Sequence, residues 1–278
     1  MAYKHILYEK EPESGIVQIT LNRPEIKNAL GILLLLDLYR AAEAFENDET
    51  AHAIILTGAA PAENTDPTQE AFSSGAYLDF AELESLDEKT KKEVDLTDLA
   101  QKRLCLKLWQ INKPIVAAIN GLAIGGGFTI PLAVADLIYM SEYAWAKLPF
   151  ARIGLVPELA SSYLLPRLLG FQRAKEIMFF GERLSAATLY DLGLINRVLP
   201  HDELLPATKR ETRRLIPPHG AGLAVRMAKE ILHKPMIDAV SQALDLENDG
   251  LNKAFGTADF MEALNARIEK REPSFKGK

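Results

Sequence analysis

Between Ile115 and Met140 the chain is almost free of charge, and this stretch constrains the fold more than any other. It is long enough to cross a bilayer. It also holds Asn120, Thr129, Asp136 and four glycines, and an aspartate in lipid is costly. A buried strand, a tight turn and a helix accommodate all of these. Three of the glycines are consecutive, Gly125-Gly126-Gly127. Glycines between a strand and a helix let a ligand approach the backbone, because no Cβ intervenes. They also leave the first N–H groups of the helix free to bind developing negative charge. No Gly-Lys-Ser/Thr follows, so the run is not a phosphate loop. It is not a dinucleotide fingerprint either, because the third glycine position, counted from Gly125, holds Ile130. Close packing of strand on helix would use the same residues.

The rest of the chain punctuates itself. Val17, Ile19 and Leu21 alternate with Gln18, Thr20 and Asn22, which predicts a half-buried strand over Gly15 to Asn22. Arg23-Pro24-Glu25 breaks it. Helical spacing follows from Leu30 to Phe45, and Ala53 to Thr57 reads as a buried strand. Gly58 to Gln69 is a polar loop, and Phe72 to Ala76 a small-residue turn. Leu78 to Ile111 reads as helical, and Pro114 to Ile119 as another buried strand. Helices are expected over Arg167 to Phe180 and Ser185 to Leu192, the second with Ser185 as N-cap. Leu194 to Leu199 is a short strand. Beyond Pro200 the pattern is helical. The expected fold is therefore α/β, with a core over residues 1–200 and a helical region over 201–278.

Composition narrows the function. A chain of 278 residues buries roughly 75% of its unfolded surface and can build a full core. The net charge of -6 argues against nucleic acid as a partner. His5, His52, His201, His219 and His233 lack metal spacing, so no metal is expected. There is no Gly-x-Ser-x-Gly elbow. Cys105, Trp109 and Trp145 read as packing residues. The lone cysteine fits a reducing compartment. Met1 to His5 shows no basic segment ahead of an apolar run, and the C-terminal Phe275-Lys-Gly-Lys278 is not a peroxisomal address. A cytoplasmic location and no membrane span are the expectations. Two further segments could carry chemistry. Ser73-Ser74-Gly75-Ala76 could present a second backbone N–H, or be an ordinary turn. Glu158 follows Pro157 and precedes apolar and small residues, so its carboxylate could be desolvated and serve as a base. An acid in the first turn of a helix would explain it as well.

These signals coincide with a family. From Ile16 to Lys276 the chain resembles the enoyl-CoA hydratase/isomerase (crotonase) superfamily. The matching segments, in family order, are Leu21-Asn-Arg-Pro-Glu-Ile-Lys-Asn-Ala-Leu30, Phe72-Ser-Ser-Gly-Ala-Tyr-Leu78 and Lys113-Pro-Ile-Val-Ala-Ala-Ile-Asn-Gly121 with Gly125-Gly-Gly127. Phe150-Ala-Arg-Ile-Gly-Leu-Val-Pro-Glu158, Gly181-Glu-Arg-Leu-Ser-Ala186 and Gly193-Leu-Ile-Asn-Arg-Val198 complete the set. The resemblance implies a spiral of ββα turns and a helical C-terminal region that assembles trimers, often paired into hexamers. It implies an acyl-CoA thioester as substrate, with coenzyme A as part of that substrate and no separate cofactor. It implies an oxyanion hole built from the N–H groups of Ala76 and Gly126. It places Lys27, Asn28 and Ala29 near the CoA nucleotide, and the tail around Phe275 and Lys276 near the CoA of a neighbouring subunit.

The resemblance also separates family members. Hydratases use two glutamates. Their places here hold Thr129, or Ile130 in the adjacent register, and Phe150. Pro157-Glu158 followed by Ser161-Ser162-Tyr163 is similar to the Δ3,Δ2-enoyl-CoA isomerase subgroup, in which one glutamate carries a proton from C2 to C4. Related aryl-CoA dehalogenases place an aspartate nucleophile there. Tyr77 stands where Gly-Ala-Asp has its acid. The expected activity is isomerisation of a 3-enoyl-CoA, with Glu158, Ala76 and Gly126 as the reacting groups. The alternatives are a hydratase or hydrolase for a specialised CoA ester, and a non-catalytic acyl-CoA-binding relative.

Overall fold

A computed structural model describes residues 3–63, 66–77, 79–93 and 98–278. Among the described residues ten strands form two sheets. The larger has the order β1 (Ile6–Lys10), β2 (Ile16–Leu21), β3 (Ala53–Gly58), β5 (Ile115–Ile119), β7 (Leu137–Ser141), β10 (Arg197–Leu199). Only β1 runs antiparallel to its neighbour. The smaller has the order β4 (Ala71–Ser73), β6 (Leu122–Ile124), β8 (Trp145–Lys147), β9 (Leu184–Ser185), with β9 antiparallel. The chain alternates between the sheets. β3, β5 and β7 enter the large sheet, and β4, β6 and β8 follow each of them into the small one. Helical segments separate the pairs, among them Gly126–Val134 between β6 and β7. This alternation is the expected spiral of ββα turns.

Ile54, Leu56, Ile115, Ala117 and Ile119 face the main core with Phe45, Phe72 and Phe128. Ile16, Ala53, Ile55, Val116 and Ala118 face the other side, against Leu204 and Ile216. A strand covered on both faces reads as a continuous apolar run, as β3 and β5 do. The apolar stretch at 115–140 thus becomes β5, β6, the helix Gly126–Val134 and β7. Among the described residues no helix is long and apolar enough to cross a membrane.

Several expectations need correction. The segment expected to be helical from Leu78 to Ile111 is broken. Helices Phe80–Glu84 and Glu88–Glu93 are followed by a π-helical turn, Leu99–Arg103, that runs into Leu104–Gln110. Leu78 and residues 94–97 lie outside the described residues. The helix expected from Arg167 starts earlier, as Ser161–Leu169. Gly170 at φ +77 then separates it from Phe171–Phe180. Ser185 does cap its helix, accepting from the Thr188 N–H. The last third is helical, with Leu204–Arg213, Gly222–His233, Ile237–Phe255 and Ala258–Glu269.

Candidate active site

Two loops are pressed together where the small sheet meets the glycine run. A Cβ on Gly127 would lie 2.4 Å from the Ser73 carbonyl oxygen. A Cβ on Gly75, at φ +86, would lie 2.4 Å from the Ile124 carbonyl oxygen. Both positions therefore require glycine. Leu30 fixes the tip of the first loop. Its N–H donates to Gly75 O (2.8 Å), and its carbonyl accepts from the Tyr77 N–H (3.2 Å). The intervening Ala76 N–H has no acceptor among the described residues. In the second loop the Gly125 N–H donates to Lys147 O, while the N–H groups of Phe128 and Thr129 both return to Gly125 O. The first N–H groups of the helix Gly126–Val134 are left over, as helix geometry dictates.

Glu158 faces this helix start. Its Oε1 lies 3.3 Å from where a Cβ on Gly126 would stand, and 3.5 Å from one on Gly125. The Gly126 N–H lies close enough to its carboxyl to favour the charged form. The Gln101 amide donates to Oε2 at 3.3 Å. Burial pushes the carboxyl up to about 7. The Gln101 hydrogen bond and the nearby Gly126 N–H oppose that rise, and the charge of Glu247 adds to it. Such a group is divided between acid and base at neutral pH.

The residue does not sit in the first turn of a helix. Helix Ser161–Leu169 begins three positions later, after Leu159 and Ala160 turn through φ +56 and +59. Consecutive left-handed residues that are not glycine cost on the order of 1–3 kcal/mol each. The turn is held from outside. The Leu159 N–H donates to Gln101 Oε1 (2.9 Å), and the Ala160 and Ser162 N–H groups donate to the Glu247 carboxylate.

The places of the second carboxyl are apolar or engaged. Thr129 is fully buried and returns its hydroxyl to Gly125 O, and Ile130 is buried. The Phe150 ring comes within 3.9 Å of a Cβ on Gly125. Among the described residues no group of histidine, cysteine and carboxylate side chains could hold a metal ion.

The remaining candidates differ in what they present. Lys27 is exposed, and its carbonyl accepts from the Ser74 N–H, which ties it to the Ala76 loop. Asn28 is fully buried. It bonds to Ala59 O (2.9 Å) and Ala71 O (2.8 Å) and accepts from the Arg23 N–H (2.9 Å). Its side chain is a latch between loops, and Ala29 is buried beside it. Lys276 lies on a tail that folds back along its own chain. Its N–H donates to Asp259 Oδ1 (2.7 Å), and its side chain is exposed. The structure thus brings Gly126 and Glu158 together and presses the loop that carries Ala76, tied to Lys27, against the glycine run.

Sequence reasoning missed Gln101 and Glu247. Glu247 left a signal. Val240, Ala243, Leu244, Leu251 and Ala254 form the buried face of helix Ile237–Phe255, and Glu247 falls on that face. Gln101 had none beyond its place in a π-helical turn, a feature frequent at functional sites.

The sequence profile of the family described as enoyl-CoA hydratase/isomerase matches residues 11–278. Crotonyl-CoA hydratase of Syntrophomonas wolfei is 31% identical over 275 residues, which are 99% of either chain. 1,2-Epoxyphenylacetyl-CoA isomerase of Escherichia coli is 29% identical over 96% of this chain and 97% of its own. The crystal structure of an enoyl-CoA hydratase/isomerase from Pseudoalteromonas atlantica superposes with a TM-score of 0.83 at 28% identity, covering 98% of this chain and all of that one.

Proposed function

The chain belongs to the enoyl-CoA hydratase/isomerase family, and on that premise we propose that it shifts the double bond of a 3-enoyl-CoA into conjugation with the thioester. Glu158 takes the proton from C2. The electron pair delocalises into a dienolate whose charge collects on the thioester oxygen. The N–H groups of Ala76 and Gly126 hold that oxygen, and Glu158 returns the proton at C4. The atoms balance without water or a second reactant. Each fixed donor contributes roughly 3–4 kcal/mol, and a positioned base about 10²–10⁴-fold.

One observation carries this reading. A desolvated carboxyl faces the free helix start, while Thr129 and Phe150 stand at the places of the hydratase acids. The neighbouring acid, Glu247, has both oxygens on backbone N–H groups. Lys27 and Lys276 offer exposed ammonium groups for the CoA phosphates. The exposed Leu223, Met227 and Ile231 on helix Gly222–His233 support assembly into a homotrimer or hexamer.

The test is a paired assay. With a 3-enoyl-CoA, absorbance reports conjugation. With a 2-enoyl-CoA, mass spectrometry reports addition of water. Conjugation that is lost in Glu158→Gln supports the isomerase. Water addition without conjugation supports the hydratase reading, which the name of the Syntrophomonas wolfei relative favours. Ester binding with no turnover on either substrate supports a non-catalytic relative.

A further inference from the structure

Glu247 is buried, with 4% of the residue exposed. Among the described residues no basic side chain pairs with it. Burying an uncompensated carboxylate costs several kcal/mol. Two charge-assisted hydrogen bonds offset part of that cost. Oε2 accepts from the Ala160 N–H at 2.7 Å, and Oε1 from the Ser162 N–H at 2.8 Å. These bonds clamp the left-handed turn at Leu159 and Ala160, immediately after Glu158. Without the clamp, nothing in the local sequence favours φ > 0 at a leucine and an alanine. The Leu159 N–H is held by Gln101, which also touches the Glu158 carboxyl. The clamp comes from the C-terminal helical region, 87 residues along the chain from Ala160.

We propose that Glu247 is a positioning residue for Glu158: from the C-terminal helical region it fixes the strained turn that aims the reacting carboxyl at the Gly126 N–H. This inference rests on Glu158 being the base and not on which ester that base serves. Removing the Glu247 charge also removes a repulsion that raises the proton affinity of Glu158.

Two variants separate geometry from charge. Glu247→Asp keeps the charge with a shorter reach, and Glu247→Gln keeps the reach without the charge. Both are compared with wild type by kcat and KM on a 3-enoyl-CoA and by thermal melting. The carbon-13 titration of the Glu158 carboxyl, assigned by its loss in Glu158→Gln, is followed in the ligand-free chain. Both variants are expected to lose kcat, by about tenfold to 10²-fold, with KM nearly unchanged. The Glu158 titration is expected to move to lower pH in Glu247→Gln and to stay close to wild type in Glu247→Asp. Wild-type kcat in both variants would overturn the proposal. So would an unmoved titration in Glu247→Gln accompanied only by a lower melting temperature. If wild type itself fails to isomerise, the proposed activity falls, and a crystal structure of Glu247→Gln decides the positioning role, which an unmoved turn at Leu159 and Ala160 would overturn.

Discussion

Replacing Glu158 by Gln should stabilise the fold at alkaline pH while it removes activity. The carboxyl moves from an ordinary 4.5 to about 7, chiefly because burial disfavours its charged form. Below the lower value, folded and unfolded chains both hold the proton, and the group makes no difference. Between the two values the unfolded chain releases the proton and the folded chain keeps it, so stability falls as pH rises. Above about 7 the folded chain must ionise the group in place, and the penalty is complete. At about 1.4 kcal/mol per pH unit the ceiling is about 3 kcal/mol. The residue is partly open to solvent, which reduces the expected value to about 2 kcal/mol. Gln keeps the shape and cannot ionise. The advantage of Glu158→Gln over wild type should therefore grow by about 2 kcal/mol between about pH 4.5 and about pH 8.5. Urea unfolding at one protein concentration measures it. An advantage that does not change with pH would mean that the carboxyl is not desolvated, and the case for it as a neutral-pH base would fall.

Gly75→Ala places a Cβ 2.4 Å from the Ile124 carbonyl oxygen at φ +86, so the loop that carries Ala76 must retreat from the glycine run. Turnover should fall about 10²-fold, measured by steady-state kinetics beside a circular dichroism spectrum that shows the fold retained. Asn28→Ala strips three hydrogen bonds from groups between loops and should cost about 2–4 kcal/mol in urea unfolding. Lys27→Ala, on the exposed neighbour, should stay within about 0.5 kcal/mol of wild type and raise KM for the CoA ester.

The large sheet was legible because its central strands leave plain patterns. β2 alternates, and β3 and β5 are short apolar runs. β1 was not legible. It is an edge strand that carries Glu9 and Lys10, and only three of its five residues are apolar or aromatic. β8 is three residues long, too short for a period. Most of helix Ser161–Leu169 was missed, its first six residues, because Pro166 lies inside it and two serines open it. At the site, the glycines and Glu158 announce themselves locally. Glycine is required where backbones touch, and an acid among apolar residues is conspicuous. Gln101 and Glu247 do not announce themselves, because each acts on a segment remote in the chain. Gln101 is 57 residues from Glu158. Such residues become visible only when tertiary packing brings them to the turn they hold.

The place of Glu158 against the start of the helix Gly126–Val134 bears on the reaction. The Gly126 N–H lies beside the Glu158 carboxyl and lowers its proton affinity. In the proposed reaction the same N–H must serve the thioester oxygen. Binding therefore takes a donor away from the base and makes it more basic. It also polarises the carbonyl, which makes the C2 proton more acidic. Both changes favour the transfer. They give the pH profiles a definite order. Activity falls as pH drops through the proton affinity of the base. For kcat/KM, which reports the free enzyme, that limb should lie at about 7. For kcat, which reports the complex, it should lie higher. Profiles measured on a 3-enoyl-CoA test this order. Coincident limbs, or a kcat limb on the acid side, would mean that the N–H is not handed from carboxylate to substrate. The stabilising donors for the dienolate would then have to be sought elsewhere on the glycine run.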